Sequence, residues 1–318
     1  MTRHRTLIAA VAALALGQTG YAAAQTYPDH VIELVVPSTP GSSADILGRV
    51  LADGMAAKTG GKFVVQNKPG GGGILGTAEV ARAKPDGYTL FHGAIYSVTV
   101  QPLTERAAGY TANSFEPICQ TFKNDQVIVA RPGTYKNLAD IMTASKAKAG
   151  GLNYGIPGIG TIPHLSMLEL SQISKVPFNQ VPFRGPAESI TNVMGGQIDF
   201  AVSPLTAAAK SGLFMPALFA EKRNPSLPDV PTVKEQGFDV WPLSIGGLLA
   251  PAGLPAAIKK KLEDACIAAR DTEAFQRIVK NTFQPADYFA DSAAFATNLK
   301  KDVDDKRKLL TTLGMVKN

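Results

Sequence analysis

The chain has 318 residues, 45% apolar and 18% charged, with 30 glycines and 22 prolines. That composition excludes a disordered or collagen-like chain and fits about two globular domains of ordinary size. Its formal charge of +6 does not mark a nucleic-acid binder, because the basic clusters Lys259-Lys260-Lys261 and Lys306-Arg307-Lys308 sit among Glu263, Asp264, Asp304 and Asp305 on helical patterns and read as solvated faces.

The first segment does not read as part of the fold. Arg3, His4 and Arg5 precede the apolar run Leu7 to Leu16, and Ala22-Ala23-Ala24 supplies small residues for a signal peptidase. Residues 1–24 are therefore expected to be a signal peptide, cleaved before Gln25, and the remainder to be exported to the periplasm. The run is shorter than the roughly 20 apolar residues of a membrane span. No Cys stands at the cleavage site, which argues against a lipid anchor.

Val31 to Val36 then forms a near-continuous apolar run, the pattern of a parallel strand buried on both faces. Pro37 ends it, the loop 38–43 follows, and Ala44 to Lys58 has helical periodicity, with Ser42 or Ser43 as the N-cap. A second unit repeats the order: strand Phe63 to Asn67, glycine loop 68–73, helix Ile74 to Ala83, turn Pro85-Asp86-Gly87, strand Tyr88 to Phe91. Near Phe115 to Ile118 the chain is expected to leave this sheet. Strand Val127 to Ala130, helix Leu138 to Ala149 and strand Leu152 to Gly155 open a second α/β unit. It continues through the loop 157–161, a helix starting near Pro163, the strand Asn179 to Phe183, the turn 184–186, a helix to Met194 and the strand Ile198 to Val202. Proline-rich connections lead to a return strand at Leu248 to Pro251. The chain ends with a helix over Ala256 to Lys280, broken near Asp271-Thr272, and another over Ser292 to Leu310.

Two motifs are weighed and set aside. Gly71-x-Gly73-x-x-Gly76 has the spacing of a dinucleotide fingerprint, but no acid ends the next strand, and a tight turn needing glycine backbone angles accounts for it. No hydrolase signature is present, and His30, His92 and His164 read as structural histidines. No cofactor, metal site or catalytic residue is expected. Cys119 and Cys266 lack any metal-ligand spacing; in an oxidising compartment one disulfide and two separate buried thiols both stay open.

What carries function is a recurring device. Small, hydroxyl-rich or glycine-rich loops precede helix starts at 39–43, 70–73, 158–161 and 184–186, all at the carboxyl ends of strands. Helix starts present unpaired N–H groups and about half a positive charge, so several facing one cleft can hold a carboxylate without a buried cation.

The ordered set Val35-Val36-Pro37-x-x-Pro40-Gly41-x-x-Ala44-Asp45, Asn67-Lys68-Pro69-Gly70, Pro85-Asp86-Gly87-Tyr88-Thr89-Leu90, Gly160-Thr161-x-x-His164-Leu165, Val181-Pro182-Phe183-Arg184-Gly185, Gly195-Gly196-Gln197-Ile198-Asp199, Leu227-Pro228-Asp229-Val230-Pro231-Thr232 and Leu249-Ala250-Pro251 resembles the Bug family, the extracytoplasmic solute receptors of tripartite tricarboxylate transporters. The resemblance implies an α/β, type II periplasmic-binding-protein fold of two lobes joined by two crossing strands. The expected lobes are 25–125 with 245–318, and 126–244. It further implies a non-enzymatic, monomeric binder of a small carboxylate, partnered by inner-membrane transporter subunits, with a ligand-presenting receptor for a sensor kinase as the alternative. By position, Ser38, Thr39, Gly41, Ser42, Ser43 and Ala44 would contact the ligand from one lobe. Gly160, Thr161, His164, Arg184, Gly185, Pro186 and Ser203 would do so from the other, and Tyr96 could stack on a ring. Asp45 would organise the first loop. Ile162-Pro163 and Ser203-Pro204 depart from the family pattern, replacing hydroxyl or acidic groups, and point to an aromatic or semi-apolar carboxylate rather than an amino acid.

Overall fold

A computed structural model describes residues 27–317; the expected signal peptide and its cleavage site lie outside the described residues. Two five-stranded mixed sheets make up the molecule. In the first half the chain runs through β1 (Ile32–Val36), α1 (Ser43–Thr59), β2 (Phe63–Asn67), α2 (Ile74–Arg82), β3 (Thr89–Ala94), the short α3 (Tyr96–Thr99) and α4 (Gln101–Thr104), and β4 (Phe115–Lys123). It then crosses to β5 (Gln126–Ala130), α5 (Leu138–Ala147), β6 (Leu152–Ile156), α6 (Ile162–Ser174), β7 (Phe178–Pro182), α7 (Pro186–Met194), β8 (Phe200–Pro204), α8 (Leu205–Ala208) and β9 (Phe214–Phe219). A second crossing returns it to β10 (Ile245–Pro251), and α9 (Ala256–Arg270), α10 (Glu273–Asn281) and α11 (Ser292–Thr312) complete the first half.

The strand orders are β2-β1-β3-β10-β4 and β7-β6-β8-β5-β9, so each half consists of parallel strands plus one antiparallel strand delivered by a crossing. This is the expected type II periplasmic-binding-protein architecture. The two crossings touch: the Asn124 N–H donates to Ser244 O at 2.8 Å.

Burial explains the continuous apolar strands. Ile32, Leu34 and Val36 point to one face of β1, against Leu47, Leu51 and Met55 of α1 and Leu262 of α9, while Val35 points to the other, with Phe91, Val80 and Phe295. The second sheet does the same, with Ile128, Tyr154 and Phe200 on the α5–α6 side and Val127, Val129 and Ala201 against Ile190 and Val193 of α7. Each large apolar side chain so buried contributes about 1.5–3 kcal/mol. Cys119 of β4 and Cys266 of α9, both fully buried, are joined in a disulfide with Cα atoms 6.7 Å apart, which resolves the open pairing.

One expectation is corrected. The chain does not leave the first sheet at Phe115 to Ile118: β4 continues to Lys123, paired with β10 along its length, and the crossing comes at Asn124-Asp125. Residues 214–219, for which the sequence pattern offers no element, form the edge strand β9, where Pro216 is tolerated because one side has no strand neighbour.

Candidate ligand-binding site

A cavity of about 920 Å³ lies between the two sheets, with walls from both halves. Its first wall is the loop before α1. Asp45, buried in the first turn of that helix, accepts from the Gly41 N–H at 2.9 Å through Oδ2, and its Oδ1 lies 2.8 Å from the Arg49 guanidinium. Burial works against the charge, but the Gly41 N–H and the groups of Arg49 and Asn67 outweigh it and hold this carboxyl below the usual carboxylate range. Asp45 therefore shapes the loop. Ser42 caps the helix by accepting from the Asp45 N–H at 3.3 Å and shares a 2.6 Å hydrogen bond with Ser38 Oγ. The first-turn N–H groups of Ser43 and Ala44 have no partner in the helix's own ladder, and the buried Ser43 Oγ has no hydrogen-bond partner among the described residues.

The second wall is the glycine turn. Gly70 to Gly73 all have positive φ, and a Cβ on Gly76 would stand 2.8 Å from Lys68 O, so the fingerprint-like glycines serve a tight turn and close packing. From the other half come the starts of α6 and α7. Neither Thr161 nor Gly185 supplies a side-chain cap; Thr161 Oγ1 donates to Gly158 O at 2.7 Å instead. Pro163 and Pro186 carry no N–H, so the uncapped first-turn amides that an anion could meet are those of Ile162 and His164 on α6 and of Ala187 and Glu188 on α7.

Ser38, Thr39, Ser42, Ser43, Ala44, Tyr96, Thr161, Arg184, Gly185 and Pro186 are brought together on this cavity. Gly41, Gly160, His164 and Ser203 are placed off its wall. Gly41 is exposed on the outer side of its loop, and Gly160 packs under Gln101. His164 is buried and braces the α6 loop, its Nδ1 accepting from the Gly160 N–H at 3.1 Å and its Nε2 donating to Gln180 Oε1 at 2.5 Å. Ser203 lies inside β8, opposite Val127. Residues not anticipated are Phe122, Asn124 and Gln126 at the first crossing, Ser244 at the second, and Gln101 of α4. Gln101, 2% exposed, donates through Nε2 to Gly72 O at 3.2 Å and to Ile159 O at 3.1 Å, tying the halves together across the cleft.

The wall is largely apolar, with Ile74, Phe122, Ile162, Pro163, Phe183 and Pro204, and its charged residues are Glu105, Arg184 and Glu188, none of them fully buried. Burial pushes the Tyr96 hydroxyl up to about 12, so it stays protonated.

The histidines stand apart from this chemistry. His92 is fully buried, with Nδ1 donating to Ala44 O at 3.0 Å and Nε2 accepting from Thr121 Oγ1 at 2.9 Å, and it is off the cavity wall. Burial lowers its pKa to about 4. Below pH 6.5 the unfolded chain takes up this proton and the folded chain does not, so the folded state loses stability as pH falls from 6.5 towards 4. Between pH 7 and pH 5 the term is about 2 kcal/mol. Chemical denaturation is expected to give a smaller loss over that interval for His92→Gln than for the parent; equal losses would assign the slope to other groups.

A two-lobed α/β molecule with a cleft between the lobes, walled by helix starts from both halves, defines a solute-binding protein. Residues 47–315 match the tripartite tricarboxylate transporter family receptor (TctC), and the chain belongs to that family. It is 32% identical over 317 residues to the UPF0065 protein in the gbd 5′ region of Cupriavidus necator, covering 98% of this chain and 96% of that protein. It is also 32% identical over 284 residues to a UPF0065 protein of Bordetella pertussis, covering 86% of each. The structure of the periplasmic binding protein BugD superposes with a TM-score of 0.84 at 28% identity, over 92% of this chain and all of that one. The chain is thus a solute-binding receptor of this transporter family, whose members are periplasmic binding proteins, and no helix among the described residues is long and apolar enough to cross a membrane.

Proposed function

We propose that this receptor captures a small carboxylate with an aromatic or otherwise semi-apolar body between its lobes and presents the closed form to the membrane subunits of its transporter. Residues 25–125 with 245–318 would move as one body and 126–244 as the other. The acid group meets the Ser43 and Ala44 amides and the hydroxyls of Ser38, Thr39, Ser42 and Ser43. The α6 and α7 starts then close over it, with the ring or chain against Phe122, Phe183 and Tyr96. The carrying observation is a wall rich in apolar side chains, with two helix starts that no side chain caps and, among the described residues, no buried cation. We read the chain as an exported monomer processed before Gln25 and acting by binding rather than turnover.

A thermal-shift panel tests this reading. An acid at 100 times its dissociation constant stabilises by about 2.7 kcal/mol, roughly 5–10 °C for a protein of this size. Benzoate or terephthalate is expected to raise the midpoint above anything citrate or glutamate achieves. A large shift with citrate or glutamate and none with a benzene carboxylate would overturn the semi-apolar assignment.

A further inference from the structure

We infer that Phe283 is a positioning residue for ligand capture: its ring, carried by one half of the molecule and seated in the other, fixes the axis about which the halves close. The inference rests on the proposed closure between lobes and adds a third junction beside the two crossings.

Phe283 stands where α10 ends. The Phe283 N–H donates to Lys280 O at 3.3 Å and the Gln284 N–H to Val279 O at 3.1 Å, the paired bonds of a helix stop whose first residue past the cap turns left-handed. That residue is Phe283, at φ 55°. Glycine is what such a stop favours, because a Cβ crowds the next carbonyl in this conformation. A phenylalanine there is held by something other than the turn.

What holds it is the other half. Phe283 packs against the apolar cluster that contains Val127, Leu205, Ala208 and Leu218, and among the described residues of that cluster it alone comes from outside 126–244. Asn224, 4% exposed, donates through Nδ2 to Phe283 O at 3.0 Å and to Asp125 Oδ2 at 3.1 Å, so one amide ties the turn to the first crossing. Gln284 repeats the arrangement. Its Oε1 accepts from the Lys123 N–H at 2.9 Å, and its Nε2 donates to Thr206 Oγ1 at 3.2 Å, which donates in turn to Asn124 Oδ1 at 3.0 Å. Phe283 and Asn224 are both off the cavity wall, so neither acts on a ligand by touching it.

Two crossing strands alone leave the halves free to twist as well as to swing. A ring buried in the opposite half beside one crossing blocks the twist and keeps the swing, so the helix starts of the two halves meet in one register. Without the ring the open ensemble widens. A smaller fraction is then ready to close, and the apparent affinity falls in proportion.

Phe283→Gly separates this role from a plain helix stop, because glycine suits the turn and only the ring is lost. Spin labels at Lys62→Cys and Lys146→Cys, exposed positions of the two halves, report the interlobe distance without ligand. The parent is expected to give a narrow distribution and Phe283→Gly a broader one. Calorimetric titration with benzoate, terephthalate, succinate and citrate is expected to show the best-bound of these weakened about fivefold by Phe283→Gly. Phe283→Leu, which keeps an apolar anchor, should stay within about twofold of the parent. Should Phe283→Gly fail to fold, Asn224→Ala, which frees the turn from the first crossing, takes its place with the same expected broadening. A Phe283→Gly distribution as narrow as the parent's, an affinity unchanged by that substitution, or an equal loss in Phe283→Leu overturns the assignment. If none of the four acids binds the parent, the carboxylate reading falls, and the ligand-free distance distributions still decide the pivot.

Discussion

Replacing Gly72 with alanine is expected to weaken binding of the best carboxylate up to about a hundredfold while leaving the chain folded. Gly72 sits at φ 62°, ψ 30°, in the turn before α2. A Cβ there would lie 2.2 Å from Gln101 Nε2 and 2.7 Å from Ile159 O. The first contact is with the end of a flexible side chain and can yield. The second is with backbone of the opposite half, and only parting the halves relieves it. The left-handed backbone costs an alanine about 1–2 kcal/mol whether the cleft is open or closed, so it lowers stability without touching affinity. The clash exists only on closure, and overpacking of this kind costs about 1–3 kcal/mol, which subtracts directly from binding. Gly185→Ala is the control. Its Cβ would meet Thr39 Oγ1 at 2.3 Å, a side-chain tip that can rotate away, so a loss of only a few-fold is expected. Titration of both variants, with small-angle scattering of the ligand-saturated proteins, decides the matter. Parent-like affinity and a parent-like closed radius for Gly72→Ala would show that the halves do not close through this contact.

The contrast between these glycines illustrates what was legible in the chain and what was not. The β-loop-α units could be read directly, since Val31 to Val36 and Val127 to Val129 carry the uninterrupted apolar pattern of strands buried on both faces. The break at Asp271-Thr272 could also be read, and Thr272 does cap α10 by accepting from the Phe275 N–H at 3.3 Å. Pro117 and Pro216 stand inside strands at the outer edges of their sheets, where a residue without an N–H is tolerated. The loop residues Ser38 to Ala44 announced themselves by composition. The crossing residues Phe122, Asn124, Gln126 and Ser244 did not, because no local pattern marks a side chain whose role depends on two remote segments meeting. The same holds for Cys119 and Cys266, 147 positions apart, whose pairing depends on how α9 lies over β4.

Lys306→Met is expected to destabilise the protein by about 3–5 kcal/mol, a fall in midpoint of roughly 10 °C. The Lys306 and Asp302 side chains, only 3% and 2% exposed, meet at 2.8 Å one turn apart on α11. Lys306 Nζ also donates to Leu243 O at 2.9 Å, and Thr99 Oγ1 donates to Asp302 Oδ2 at 2.7 Å. One buried pair thus joins the last helix, the short helix α3 behind Tyr96, and the crossing just before Ser244. Removing the cation strands a buried carboxylate, and the cost is that of the uncompensated charge rather than the worth of the pair. The double variant Lys306→Met/Asp302→Leu removes both charges and is expected to recover most of the loss. Because Leu243 O then loses its donor, the second crossing should loosen, and hydrogen exchange should quicken around residues 243–245 in both variants. A single variant within 1 kcal/mol of the parent, or a double variant no more stable than the single, would mean that the pair is hydrated in solution and that the crossing is held by its apolar neighbours alone.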